Sequence, residues 1–522
     1  MKHKFLLAAG ALSLALTAPA LAVFPEGDPS QYTVIRISGA ATLRPSVIKS
    51  IENILEKDPP SPEPVNPEAY TFAYNGTNRY RTNSNIYKGK LLNTAAGQGY
   101  VIIKTHWTGD VSGVVKLSKN PDTDTTSTTD DKLNFLPDNT PTSKAGISGT
   151  AIPAITTNAE LPLATVAVTY SSSTAALIAS APGVGPAYAD LIAEANLVDA
   201  GTPEKAGGYG VVAITAFEWV TGRTAAGLNP PFTNITQNAA ATLLRRPLAV
   251  SVLTGNPDDK FKYVYAVGRS QDGGARTVPI AEAQLGFTTP VNQFQLEFLN
   301  SGTQQTQPVT LATGGANATV KRLIRWPASW ALSQLPEVNW GQTGNSGYNL
   351  TSDLANVLSA INPVLTTVTN ITEHNGTTNG TVLVPTAIQS TGISHIYFVG
   401  YNGSADTQAL LNTTDSVPGD DVDQKARRLS YNGVPYSADA VRTGQYSLWS
   451  YGHLYYRPDR VDAAQQNVID LIADDIFTVS APTNGDGLTL DDPTNTGAAG
   501  IFYDSRVLVR KEIEGGSLFR TY

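Results

Sequence analysis

Val34-Ile35-Arg36-Ile37-Ser38-Gly39-Ala40-Ala41-Thr42-Leu43-Arg44-Pro45 carries three structural signals in a dozen residues. A β-branched run reads as a buried strand, small residues make a tight turn, and Pro45 suits the first turn of a helix, where its missing N–H costs nothing. Behind Pro45, the residues Val47, Ile48, Ile51, Ile54 and Leu55 recur at helical spacing on one face, with Lys49, Glu52 and Lys57 elsewhere. Strand, small-residue loop and helix in this order aim unpaired backbone N–H groups and the Thr42 hydroxyl at one point, a place for an anion. The alternative for Thr42 is an ordinary helix cap.

Upstream, Met1-Lys2-His3-Lys4 precedes an apolar run from Phe5 to Leu16, and Ala20-Leu21-Ala22 closes it with the small residues that signal peptidase accepts. Residues 1–22 are expected to be a cleaved secretory signal, so the mature chain starts at Val23 and works in the periplasm or outside the cell. Loss of Lys2 and Lys4 takes the formal charge from -8 to -10, because residues 1–22 hold no acid. This acidic balance argues against nucleic acid or an anionic membrane surface as a partner. No later apolar run approaches the roughly 18 residues of a spanning helix, so the mature chain is not expected to cross a membrane. With no cysteine, disulfides, cysteine-linked lipid and thiolate chemistry are excluded, and Met1 is the only other sulfur.

The roughly 500 remaining residues exceed what one core organises and predict two or three domains. Strands are predicted at Tyr100–Thr105, Thr165–Tyr170, Val211–Ile214, Tyr263–Val267 and His395–Val399, and helices at Ala187–Ala195, Gln237–Arg245, Ile280–Leu285, Leu350–Ile361 and Val461–Ile476. Their alternation predicts an α/β fold with largely parallel sheets. Asp58 to Pro67 and Asn120 to Ser143 lack apolar periodicity and read as solvent-exposed insertions.

Four segments, in order, carry a resemblance to the periplasmic phosphate-binding proteins of ABC transporters, which have the type 2 periplasmic binding protein fold. They are Ser38-Gly39-Ala40-Ala41-Thr42-Leu43; Trp107-Thr108-Gly109-Asp110-Val111-Ser112-Gly113-Val114; Phe232 to Leu244, leading to Val267-Gly268-Arg269-Ser270-Gln271-Asp272-Gly273-Gly274-Ala275-Arg276-Thr277; and Gly433 with Val441 to Trp449. The resemblance implies two α/β lobes with insertions: residues 23–213 and 446–522 form lobe 1, and 214–445 form lobe 2. Crossings are expected near Ala213–Trp219 and Tyr446–Tyr451. The ligand lies between lobes that close by a hinge.

By this resemblance the ligand-binding residues are Thr42, Leu43, Asp110, Ser112, Tyr170, Arg269, Gly273, Gly274 and Arg276. Arg269 is placed to fork onto a bound oxyanion, while Arg276 is either a second anion contact or a lobe-to-lobe salt bridge. The chain also departs from the family pattern. Gly273 and Ala275 stand where hydroxyl residues are expected before Arg276, Asp110 occupies a serine position, and Tyr170 falls where the family has a proton-accepting carboxylate. Each lost charge-assisted hydrogen bond costs roughly 1.5–3 kcal/mol, against about 8 kcal/mol for a whole micromolar site. Tight binding therefore needs replacement donors, among them Tyr170, Ser112 or Arg276. Asp110 taking over the displaced acid's role favours a protonated oxyanion over sulfate.

His3, His106, His374, His395 and His453 show no zinc-ligand spacing, and His106 reads as a packed strand residue. Asp122, Asp124, Asp130 and Asp131 lack the central Gly and terminal Glu of a calcium loop, and Asn484, Asp486, Asp491 and Asp492 form another loose acidic loop. No metal or cofactor is expected. Neither a Gly-x-Ser-x-Gly elbow nor a Walker phosphate loop is present, so catalysis is not expected. Asn75, Asn234, Asn317 and Asn375 head N-glycosylation patterns, which matter only in a glycosylating host. Two readings stand. One is an exported binding protein that captures a small oxyanion, phosphate first, for an inner-membrane ABC permease. The other is a secreted structural or adhesive protein that keeps the scaffold without the ligand.

Overall fold

The computed structural model describes, with short gaps, residues 32–117, 135–151, 164–169, 198–199, 213–306, 319–325, 347–358, 373–374, 396–407, 426–480 and 501–520. Strand β1 (Thr33–Gly39) buries Ile35 and Ile37 completely, and α1 (Arg44–Ile54) follows the tight turn with Pro45 in its first turn. Val47, Ile48, Ile51, Ile54 and Leu55 all lie in the core, each contributing roughly 1.5–3 kcal/mol over exposure. Lys49 and Lys57 are exposed, whereas Glu52, expected off the apolar face, is 4% exposed. The Arg79 guanidinium at 2.7 Å and the Tyr80 hydroxyl at 3.0 Å replace its water.

The first half continues through β2 (Thr71–Tyr74), β3 (Ser84–Lys90), β4 (Tyr100–His106) and β5 (Val166–Thr169). The second half brings β6 (Ala213–Gly222), α2 (Gln237–Leu243), β7 (Tyr263–Ala266), α3 (Gly274–Glu282) and β8 (Ile396–Gly403). The chain then returns through β9 (Trp449–Tyr456) and α4 (Ala463–Ser480) to a hairpin, β10 (Val509–Lys511) and β11 (Leu518–Arg520). Helix α4 packs on α1, where the Ser50 hydroxyl donates to the Ile472 carbonyl at 2.9 Å.

Nine of these strands form one sheet path in the order β7-β8-β6-β9-β5-β1-β4-β3-β2. β5, β1 and β4 are parallel neighbours, with Gly39 opposite Val168 and Ser38 opposite His106. β3 runs antiparallel to β4, and β2 to β3, so the α/β class holds while the sheet is mixed rather than largely parallel. The antiparallel pair was invisible to periodicity because its polar residues turn in to distant partners: Lys88 donates to the Thr140 carbonyl, and the buried Lys90 pairs with Glu56 and Glu68.

Strand β6 is shared. Ala213 to Ala216 pair with Gly452 to Trp449 of β9, and Phe217 to Thr221 pair with Gly403 to Val399 of β8. β9 in turn leaves β6 and pairs through His453 to Tyr456 with Thr169 to Val166 of β5. These two strands join the halves, and the pairing fixes direction. β9 runs away from the junction into the first half, so antiparallel β5, and β1 and β4 parallel to it, run toward the junction. β6 runs away from the junction into the second half, so antiparallel β8 and its parallel neighbour β7 also run toward it.

Other expectations changed. The strand expected at Val211–Ile214 is described from Ala213 and extends through Gly222, and the helix expected at Ile280–Leu285 starts at Gly274, with Pro279 inside it. A separate four-stranded sheet, Phe294–Asn300, Thr303–Thr306, Thr319–Arg325 and Glu373–His374, had no counterpart in the sequence reading. The insertion expected at 120–143 is not exposed throughout: Phe135 and Leu136 are buried, Leu136 against Ala73, Ile86 and Ile102. The helix expected at Ala187–Ala195 lies outside the described residues. Among the described residues, no helix is long and apolar enough to cross a membrane.

Candidate functional site

Three of the expected loops leave the C-terminal ends of adjacent parallel strands, where open α/β sheets bind ligands. Gly39 has φ +138° and its carbonyl accepts the Gly109 N–H at 3.0 Å. A Cβ on Gly113 would lie 2.8 Å from the Gly39 Cα, so the loops after β1 and β4 pack backbone to backbone, which only glycine permits. His106, at the end of β4, holds the Ser84 hydroxyl at 2.7 Å and meets Phe135 edge-on, as a packed strand residue does.

Leu43 has a different role from the one expected. Its side chain is 2% exposed in the core, and its N–H donates to the Ala40 carbonyl at 3.1 Å. The Arg44 N–H likewise closes on Ala41 at 3.3 Å, and Pro45 has none, so the first donors of α1 are committed to the turn. No side chain caps α1; its cap position is Leu43. The Arg44 side chain turns away to the Tyr80 and Thr82 carbonyls, at 2.8 Å each. Thr42, Asp110, Ser112, Tyr170 and Gly273 lie outside the described residues.

On the other side, the chain beyond β7 stays attached to β8 by the Val267 N–H on the Val399 carbonyl, then reaches Gly268 and Arg269. A Cβ on Gly268 would meet the Tyr401 hydroxyl at 2.5 Å, so glycine is required for this close approach. The Tyr401 hydroxyl donates to Gln293 Oε1 at 2.5 Å and accepts the Arg269 N–H at 3.3 Å. Gln293 Nε2 closes the ring on the Arg269 carbonyl at 2.9 Å. Arg269 itself is 7% exposed, its Nε donating to the Tyr348 carbonyl at 3.0 Å.

Gly274 opens α3, and Arg276 in its first turn is 9% exposed. Burial pushes the Tyr401 hydroxyl up to about 12, against the opposing pull of the Arg276 and Arg269 charges. Both guanidiniums therefore lie near the Tyr401 hydroxyl, behind this strand end. Gln293, Tyr348 and Tyr401, which fix the Arg269 backbone and side chain, were not identified from sequence. They lie 24, 79 and 132 residues from Arg269, and nothing local marks them. Among the described residues, no three His, Cys, Asp or Glu side chains are grouped to hold a metal. The acidic stretches at 122–131 and 484–492 lie outside those residues.

No family model matches the sequence, and no curated protein matches it. Among solved structures, the chain is similar to an ABC-type phosphate transport receptor from Vibrio cholerae, at 11% identity and a TM-score of 0.34, covering 85% of this chain and 97% of that one. It is also similar to PstS from Borrelia burgdorferi, at 9% identity and a TM-score of 0.31, covering 91% of this chain and 99% of that one. Values this low transfer neither a ligand nor a site residue.

Proposed function

We propose that this chain is an exported binding protein that captures a small oxyanion, phosphate foremost, at the junction of its two halves and delivers it to an inner-membrane ABC permease. Lobe 1 is residues 23–213 and 446–522, lobe 2 is residues 214–445, and the 509–520 hairpin bridges them. The observation that carries the reading is topological. Two sets of parallel strands, joined through β6 and β9, both run toward the junction, and Arg269 and Arg276 stand behind one set. Thr42, Ser112 and Tyr170 supply hydroxyls from the first side, Gly273 and Gly274 allow close approach from the second, and Asp110 accepts a proton-borne hydrogen bond from the ligand. No covalent chemistry is involved.

The second reading, a secreted structural protein on the same scaffold, draws on one observation: the Leu43 and Arg44 N–H groups already serve the turn and give an anion nothing. Calorimetric titration with phosphate, arsenate and sulfate separates the two. The capture reading predicts submillimolar phosphate binding, weaker sulfate, and loss of phosphate binding in Arg269→Ala. Absence of binding together with self-association supports the structural reading, and a preference for sulfate refutes the role given to Asp110.

A further inference from the structure

At the C-terminal end of β8, a cluster of buried polar atoms has no hydrogen-bond partner among the described residues. Both amide atoms of Asn402, the Ser404 hydroxyl and the Thr407 hydroxyl are orphaned, in residues 0%, 1% and 0% exposed. Ser404 and Thr407 are helical, and three residues apart they share a face. Burying one such group without a partner costs roughly 1–3 kcal/mol, so four atoms in six residues are a poor way to build a core.

Their place in the fold gives them a use. Gly403 pairs with Phe217 on one edge of β6, and the Phe217 N–H donates across the other edge to the Leu448 carbonyl, just before β9. The cluster therefore sits where both crossing strands meet the end of β8, beside the strand end that carries Arg269. Two positions before Phe217 in β6, Thr215 is also fully buried, with an orphaned hydroxyl. Glu218, facing Asn402 across the pair, is held by the Arg428 guanidinium, so its carboxylate is neutralised.

We infer that Ser404 and Thr407, with Asn402 behind them, form the second lobe's hydroxyl wall of the oxyanion site. They replace the donors that Gly273 and Ala275 cannot provide. The inference rests on the capture reading above and names which side chains complete that site. Charge comes from the β7 end, through Arg269 and Arg276, and neutral donors come from the β8 end. The ligand class is a tetrahedral oxyanion whose oxygens accept from both strand ends at once.

The test pairs phosphate affinity with unliganded thermal stability for the purified protein, Arg269→Ala, and the double variant Ser404→Ala with Thr407→Val. The double variant is expected to melt at or above the parent's temperature, because it removes orphaned hydroxyls. It is expected to lose phosphate affinity by at least about tenfold per hydroxyl. Ser404→Thr keeps the hydroxyl and is expected to hold parental affinity; a loss there equal to that of Ser404→Ala shows a packing effect and overturns the inference. Parental affinity in the double variant, with binding abolished in Arg269→Ala, overturns the inference alone. A parent protein that binds none of phosphate, arsenate and sulfate overturns the capture reading and this inference with it.

Discussion

Tyr401 links the packing of the second half to Arg269. Its hydroxyl bonds both the Gln293 side chain and the Arg269 backbone in a fully buried setting, and it titrates at about 12 rather than the ordinary 10. The folded state therefore holds this proton more tightly than the unfolded chain does. The resulting stabilisation is complete below pH 10 and is lost as pH rises through about 12. Denaturation of the parent and Tyr401→Phe across that window checks it: the parent's stability falls more steeply with pH, and equal slopes contradict the assignment. At neutral pH the variant orphans the Gln293 carbonyl and loses about 1–3 kcal/mol. Arg269 was legible because a guanidinium following a strand into a Gly-rich loop is a local pattern. Asn402 at the end of β8, and Ser404 and Thr407 beyond it, were not, because polar residues at a strand end look like any loop until burial leaves them without partners among the described residues.

The elements differ in legibility for a similar reason. β1, its turn and α1 follow from local spacing alone, and their apolar face is the buried one. The hairpin β10–β11 has no such signature, since its anchors lie far away in the chain, an ion pair 229 residues off among them. Lys511, its side chain 2% exposed, meets Glu282 at the end of α3 at 3.0 Å, donates to the Ser447 carbonyl and to the Trp449 carbonyl at 2.9 Å, and lies 4.7 Å above the Trp449 ring. Gln284 also donates to the Gly515 carbonyl at 2.6 Å. The hairpin thus ties the start of crossing strand β9 to a helix of the second half. Lys511→Ala strands a buried carboxylate and is expected to cost about 3–5 kcal/mol, most of it recovered by combining Lys511→Met with Glu282→Leu. Chemical denaturation of the three proteins measures this, and a small loss in the single variant removes the clamp from the account.

For the whole molecule, the governing fact is the direction of the strands on either side of β6 and β9. That direction follows from register, which pairs residues hundreds of positions apart, and no local pattern in the chain states it. On the capture reading the two halves close about β6 and β9, and a ligand touching both stabilises the closed form by its differential affinity. The absence of cysteine allows labels to be placed at will. Lys49→Cys, exposed on the outer face of α1, and Val252→Cys, 62% exposed in the second half, give one spin label on each side. Measured by pulsed electron resonance, the distance between them is predicted to shorten when phosphate is added and to stay unchanged in the Arg269→Ala background. An unchanged distance in the parent under saturating phosphate contradicts capture between the halves.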